Sequence, residues 1–227
     1  MQSRPSTTTQ QPPQPEQPKR EQIQIPPANM RTTTFVLVGT APYVQNRFSK
    51  KAQIMAGQEA GSTKGSKKPR AKRDFEKDYE EAKHVSREGW CGIPAPAFRN
   101  AAISACRLVG YKMTLAKLSL FIVPDGFDKE DDMPLVKITK GKPHRHDAHA
   151  RNANGSIDIR ARPMWREWEA TLQVQYDADQ FTLTDVANLI NRVGLQVGIG
   201  EGRHDSKESA GLGWGTFTIL EDGKKRN

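Results

Sequence analysis

Two cysteines, Cys91 and Cys106, are the only thiols in this chain of 227 residues, and they stand in no CxxC or similar metal spacing. That scarcity argues against a disulfide framework and against a cysteine-based zinc knot. Long apolar runs are missing as well, and none reaches the roughly 18 residues that a membrane span needs. The opening MQSRPSTTTQQPPQPEQPKREQ has no apolar centre of the secretory kind. The expectation is a soluble cytoplasmic protein, with Cys106 as a small core residue and Cys91 in a loop. Acidic charge is the third shortage: 26 Asp and Glu stand against 35 Lys and Arg, a net charge of +9. Such a surplus favours a polyanionic partner, because neutralising phosphates releases condensed counterions.

What is present falls into segments. Residues 1–29 are rich in Pro and Gln with few large apolar side chains, and read as a disordered tail. Residues 221–227 read as a short basic tail. Within STKGSKKPRAKR (62–73) six residues are basic and none acidic. This run is either a solvated linker or an electrostatic finger that meets phosphates. DFEKDYEEAKHVSREG (74–89) has the composition of a short helix.

The rest predicts regular elements. TTTFVLVGTAP (32–42) is β-branched and apolar, a buried strand. IPAPAFRNAAISACRLVG (93–110) predicts a helix with prolines at its entry. Phe98, Ala102, Ala105 and Val109 lie on one face, and Gly110 can take the left-handed stop. TLAKLSLFIVPDG (114–126) reads as a strand with Leu118, Leu120 and Ile122 on one side, and PLVKITKG (134–141) as a further candidate. WREWEATLQVQY (165–176) alternates Trp168, Ala170, Leu172, Val174 and Tyr176 with polar residues, so one face is buried and one wet. FTLTDVANLINRVG (181–194) predicts a helix, with Val186, Leu189, Ile190 and Val193 at helical spacing and Thr182 and Asp185 as a capping box. GWGTFTI (213–219) closes the order as a strand.

That order predicts an α+β fold of ferredoxin-like or RRM-like type, an antiparallel sheet with two helices on one face. A single decorated domain is expected over 30–220, with long inserted loops at 44–92 and 125–160.

Between the last helix and strand lies VGLQVGIGEGRHDSKESAGLGWG. A dinucleotide fingerprint wants strand, GxGxxG, then helix, so that the helix N-terminus faces the pyrophosphate. Here the order is helix, glycines, strand, and no GK[ST] follows. No nucleotide cofactor is expected, and no other cofactor. The loop is either a mobile connection or a place where Gly198, Gly200 and Gly202 let bare backbone approach another chain, with Arg203 and His204 at its tip.

This stretch, together with IPAPAFRNAAISACR (93–107) and GTAP (39–42), resembles the RAMP superfamily, the repeat-associated proteins that form the RNA-binding backbone of CRISPR effector complexes. The resemblance covers residues 32–42, 93–124 and 165–219. It implies single-stranded nucleic acid held along a groove by repeated copies. The chain departs from that family in lacking a second RAMP-like half and in its Pro/Gln tail, and a virus- or prophage-encoded relative fits those departures.

Candidate phosphate contacts are Lys50, Lys51, Lys64, Lys67, Lys68, Arg70, Lys72, Arg73, Lys142 and Arg145. Arg99 and Arg107, spaced to share a helix stripe with Ile103, add two more. Arg160, Arg162 and Arg166 cluster near Trp165, which could stack a base. KGKPHRHDAHAR (140–151) holds His144, His146, Asp147 and His149, which could surround zinc or supply acid–base chemistry. A basic contacting loop is the favoured reading there, with no metal. The function expected is non-catalytic binding of single-stranded nucleic acid, RNA favoured over DNA, by a homo-oligomer or a subunit of a larger complex. The alternatives are a metal-independent endoribonuclease using the 142–149 segment, and a viral structural or assembly protein.

Overall fold

The computed structural model describes residues 24–47, 74–151, 157–205 and 211–220. The first half contains β1 (Met30–Gly39), β2 (Tyr43–Val44), α1 (Phe75–Glu81), β3 (Gly92–Pro94), α2 (Ala95–Ala105), α3 (Met113–Ser119) and β4 (Leu120–Val123). The second contains β5 (Gly126–Phe127), β6 (Pro134–Lys140), β7 (His144–Arg151), β8 (Ile157–Trp165), β9 (Glu169–Asp177), α4 (Leu183–Arg192) and β10 (Phe217–Ile219). The fold is α+β, built on antiparallel strands.

Strict alternation along β9 decides the centre of the molecule. Ala170, Leu172, Val174 and Tyr176 are buried on one face while their neighbours are half-exposed on the other. β1 pairs with β9 along its length, from Met30 opposite Asp177 to Val38 opposite Glu169. On the far side of β9, β4 takes residues 173–176 and β6 takes the start of the strand. One path through the sheet therefore runs β10, β1, β9, β4, with every neighbour antiparallel. α2 and α4 supply Phe98, Ala102, Val186, Leu189 and Ile190 to the same core as the inward face of β9. Each large apolar side chain buried there contributes about 1.5–3 kcal/mol.

Local chemistry starts and stops the helices as expected. The Thr182 side chain accepts from the Asp185 amide at 3.2 Å, and the Asp185 carboxylate accepts from the Thr182 amide at 2.9 Å, a complete capping box. After α2 the chain tightens into a 3₁₀ turn and ends at Gly110, with φ +69°. Cys106 is buried and Cys91 half-buried, both as free thiols.

Several expectations need correction. Residues 114–126 are not one strand: 113–119 form α3, 120–123 form β4, and Gly126 already belongs to β5. Ala, Lys and Leu favour helix in that run, and α3 buries Ala116 and Ser119 while Leu118 stands 74% exposed. Val109 falls in the 3₁₀ turn, off the α-helical spacing, and is exposed. The strand expected at 165–176 is two strands, because the chain turns between Trp165 and Trp168.

The segment 125–160 is not a loop. It contains β5, β6, β7 and the start of β8, and β7 pairs with β8 from His144 opposite Met164 to Arg151 opposite Ile157. HRHDAHAR has no apolar alternation, so the backbone ladder makes this strand, not a hydrophobic face. The segment 44–92 likewise contains α1, which packs on β8. β2, β8 and β7 make a second sheet. Aromatic rings join it to the core: Trp165 meets Tyr43 at 5.5 Å, Tyr43 meets Trp168 at 5.8 Å, and Trp168 meets Phe217 at 5.9 Å.

Candidate nucleic-acid interface

The glycine-rich loop is stitched to its surroundings by backbone. α4 passes into a π turn over Val193–Val197 that ends at Gly198. The amide of Glu201 donates to the Val44 carbonyl at 2.9 Å, Ile199 donates to Gly215 at 3.1 Å, and Gly215 donates to Pro42 at 2.7 Å. Gly200 has φ +79°, and a Cβ there would lie 2.5 Å from the Val44 carbonyl oxygen. Gly202 has φ +78°, and a Cβ there would lie 2.6 Å from the Trp214 ring. Gly198 has φ +74°, and a Cβ there would lie 3.0 Å from the Trp214 carbonyl oxygen and 3.1 Å from the Arg203 Cβ. These glycines serve close approach and left-handed backbone within the chain itself.

Side chains from three parts of the sequence gather on this loop. Arg203 donates to the Gly200 carbonyl at 3.0 Å. Arg162, from β8, donates to Glu201 at 2.8 Å with its side chain largely buried. The His146 ring, from β7, meets Trp214 edge-on at 5.4 Å, and the exposed His204 ring lies against Gly213. Arg107, just past α2, pairs with Asp205 at 2.9 Å, and the Ser104 hydroxyl donates to the same carboxylate. The Ser104 hydrogen bond, with the Arg107 charge added, holds Asp205 below the ordinary carboxylate range against its partial burial. Arg107, Arg162, Arg203, His146, His204 and Trp214 thus gather on the glycine loop where β7 and β8 meet it, Arg162 largely buried against Glu201.

Other expected contacts lie elsewhere. Arg99 does not share a stripe with Arg107: its guanidinium donates to the carbonyls of Leu120 and Lys117 and lies over the Phe121 ring, and Ile103 between them is buried. Arg145 pairs with Asp147 at 3.0 Å and with Glu76 of α1 at 3.1 Å. Lys142 is exposed beside β7, and Arg160 sits opposite Ala148 on β8. Trp165 is fully buried against Tyr43, so it offers no face to a base. Lys50, Lys51, Lys64, Lys67, Lys68, Arg70, Lys72 and Arg73 lie outside the described residues. Asp74 caps α1, and the Tyr79 hydroxyl of that helix donates to Pro143 at 3.2 Å.

The histidines of 140–151 do not converge. Alternation along β7 puts His144 and His146 on one face and Asp147 and His149 on the other. Burial, with Arg166 and His146 nearby, holds His144 below the ordinary imidazole value. Among the described residues the potential metal-ligating set is a different one: His84, Asp128 and Asp131, whose ligand atoms lie within 4.8 Å of one another. A cation already stands there. Arg47 reaches Asp128 at 3.3 Å and Glu130 and Asp131 at 3.2 Å each, while His84 Nδ1 meets Asp128 at 3.0 Å. Gln45 accepts from the His84 amide at 2.8 Å and donates to the Gly92 carbonyl at 2.7 Å. This is a buckle that closes the inserted segments on each other, and sequence reading missed it. The acidic run Asp128–Asp132 was its one visible sign, and its basic partner lies some eighty residues away.

No protein-family model matches the chain, and no curated protein matches it. Among the described residues no helix is long and apolar enough to cross a membrane.

Proposed function

We propose that this chain binds single-stranded nucleic acid, RNA in preference to DNA, without cleaving it, as one of several copies in a ribonucleoprotein assembly. The observation that carries this reading is the gathering of Arg107, Arg162, Arg203, His146, His204 and Trp214 where the β7–β8 hairpin meets the glycine loop. The Arg107 and Arg203 forks, held by Asp205 and by the Gly200 carbonyl, keep further donors for phosphate oxygens, while the largely buried Arg162 fixes Glu201 of the loop. Trp214 is half-exposed among them, which suits a single strand, whose base faces are open to stacking, better than a duplex. The basic 48–73 segment precedes α1 in the sequence and adds to the chain's surplus of positive charge. The core order β1, α2, β4, β9, α4, β10, with the path β10-β1-β9-β4, supports a ferredoxin-like reading and the RAMP-like resemblance. The split of the histidines across β7 favours binding over ribonuclease chemistry.

Fluorescence anisotropy with a labelled single strand of about 30 nucleotides tests this. Affinity should fall by on the order of 10³-fold or more between about 50 and 200 mM salt if six or more phosphates are neutralised. Arg203→Ala should weaken binding and reduce the salt slope by about one phosphate, with the thermal melt unchanged within about 1 kcal/mol. Absence of binding, salt-insensitive binding, or equal affinity for duplex overturns the proposal.

A further inference from the structure

A groove of about 980 Å³ lies between the 3₁₀ turn after α2 and α4 with its π turn. Asp185, Asn188, Arg192 and Leu195 recur at helical spacing and line it from α4 and the π turn. Tyr111 and Phe181, with ring centres 4.8 Å apart, supply aromatic surface. Most of the polar groups in the lining are already engaged. The Tyr111 hydroxyl donates to Gln180 at 3.2 Å, Arg192 donates to Gln196 at 3.1 Å, and the Asp185 carboxylate accepts from Thr182. Asn188 and Asn191 differ. Among the described residues their side-chain carboxamides meet no partner, and each offers two donors and an acceptor.

That lining selects among ligand chemistries. An apolar chain would cover Asn188 and Asn191 and strip them of water, at a cost of about 1–3 kcal/mol for each group left unsatisfied. An anion gains little, because Asp185 and Arg192 are the charged residues of the lining and they offset each other. An uncharged planar ring with donors and acceptors around its edge fits both features. Its face takes the aromatic and aliphatic surface, and its edge takes the carboxamides. Asn side chains pair with base edges in this way, and a single strand leaves those edges open. The groove also shares its two flanking turns with the candidate interface. Arg107 and Val109 belong to one 3₁₀ turn, and the π turn that carries Leu195 passes at Gly198 into the loop of Arg203.

We infer that the groove receives an unstacked base of the bound single strand, with Asn188 and Asn191 on its edge and Tyr111 beside its face. The inference rests on the proposed binding of single-stranded nucleic acid and adds to it a place where bases are read. Arginines on phosphates position a strand but carry no base information. Carboxamides against a base edge do, so the groove gives the protein a sequence preference that the glycine loop alone does not supply.

Two measurements on the full chain test it. The first is fluorescence anisotropy with a mixed-sequence single strand of about 30 nucleotides and with a sugar–phosphate strand of the same length that lacks bases. Asn188→Ala combined with Asn191→Ala should weaken binding of the mixed strand about tenfold. The same variant should bind the baseless strand like the wild type and keep the wild-type salt slope, which Arg203→Ala reduces. Neither asparagine is buried and alanine favours helix, so the variant should melt no lower than the wild type. The second is titration of the wild type with free adenosine and uridine, which should shift the side-chain amide NMR resonances of Asn188 and Asn191. Unchanged affinity of the variant for the mixed strand, an equal loss on the baseless strand, or carboxamides unmoved by nucleosides overturns the inference. Failure of both strands to bind the wild type overturns the proposed function instead, and the nucleoside titration then decides the groove by itself.

Discussion

β9 and the Arg47–Asp128 buckle both bury their side chains, but they are held by opposite means. Around β9, Leu172 and Val174 are sealed by apolar contact with α2, α4 and neighbouring strands. In the buckle, Asp128 is fully buried while its oxygens meet Arg47, His84 and the Glu130 amide. An apolar core tolerates loss of one member by forming a cavity. A buried charge cluster stripped of one member leaves its remaining charges without compensation. Cohesion of the inserted segments therefore rests on a few irreplaceable groups.

The sharpest way to break the comparison is Asp128→Ala. It leaves Arg47 and His84 with reduced pairing in a buried site and should cost about 3–5 kcal/mol in urea unfolding. Leu172→Ala, the apolar counterpart, should cost about 2–5 kcal/mol. The two should also differ in kind. Asp128→Ala should loosen the inserted segments first, raising hydrogen exchange at residues 84–92 and 128–138, whereas Leu172→Ala should lower the whole domain. Uniform exchange in both variants would show that the buckle and core form one cooperative unit.

The same contrast explains what was legible. The alternation of Trp168 to Tyr176 and the spacing of Val186, Leu189 and Ile190 are local patterns, and local patterns mapped onto β9 and α4. The capping box of Thr182 and Asp185 was read within four residues and is present. β7 was not legible, because a strand made by backbone pairing carries no hydrophobic period. The buckle was not legible, because Arg47, His84 and Asp128 are partners only after the chain has folded. The candidate interface sits between these cases. Arg162, Arg203, His146 and His204 were singled out from composition, but their union through Glu201 and Trp214 needed the three-dimensional contacts.

Acid should separate the two regions by a smaller margin. Burial holds His84 below the ordinary imidazole value despite its bond to Asp128, with Arg47 adding to the depression and Asp131 opposing it. As the pH falls through about 6.5, the unfolded chain takes up a proton at this histidine that the folded chain refuses. The stability contributed by neutral His84 is thus present above that value and lost as the pH drops toward the lower folded value. Asp131 adds a later loss. Burial would raise it, but the Met133 amide and Arg47 together hold it low, so its contribution disappears only as the pH falls below the carboxylate range. Urea midpoints at pH 7 and pH 5.5 should differ in the wild type, and His84→Gln should shrink that difference, leaving the part that belongs to His144. An unchanged difference would mean that His84 is protonated in the folded chain.

The smallest expected effect belongs to the most legible feature. Thr182→Ala removes the acceptor for the Asp185 amide and half of the capping box, without touching buried side chains, and should cost about 1 kcal/mol. α4 leads directly into the π turn that carries Leu195 and then the glycine loop. If the cap only stabilises α4, Thr182→Ala should lower the urea midpoint and leave nucleic-acid affinity unchanged. A loss of affinity out of proportion to that change would show that the start of α4 sets the position of the loop. The locally encoded helix and the assembled interface would then be one mechanical unit.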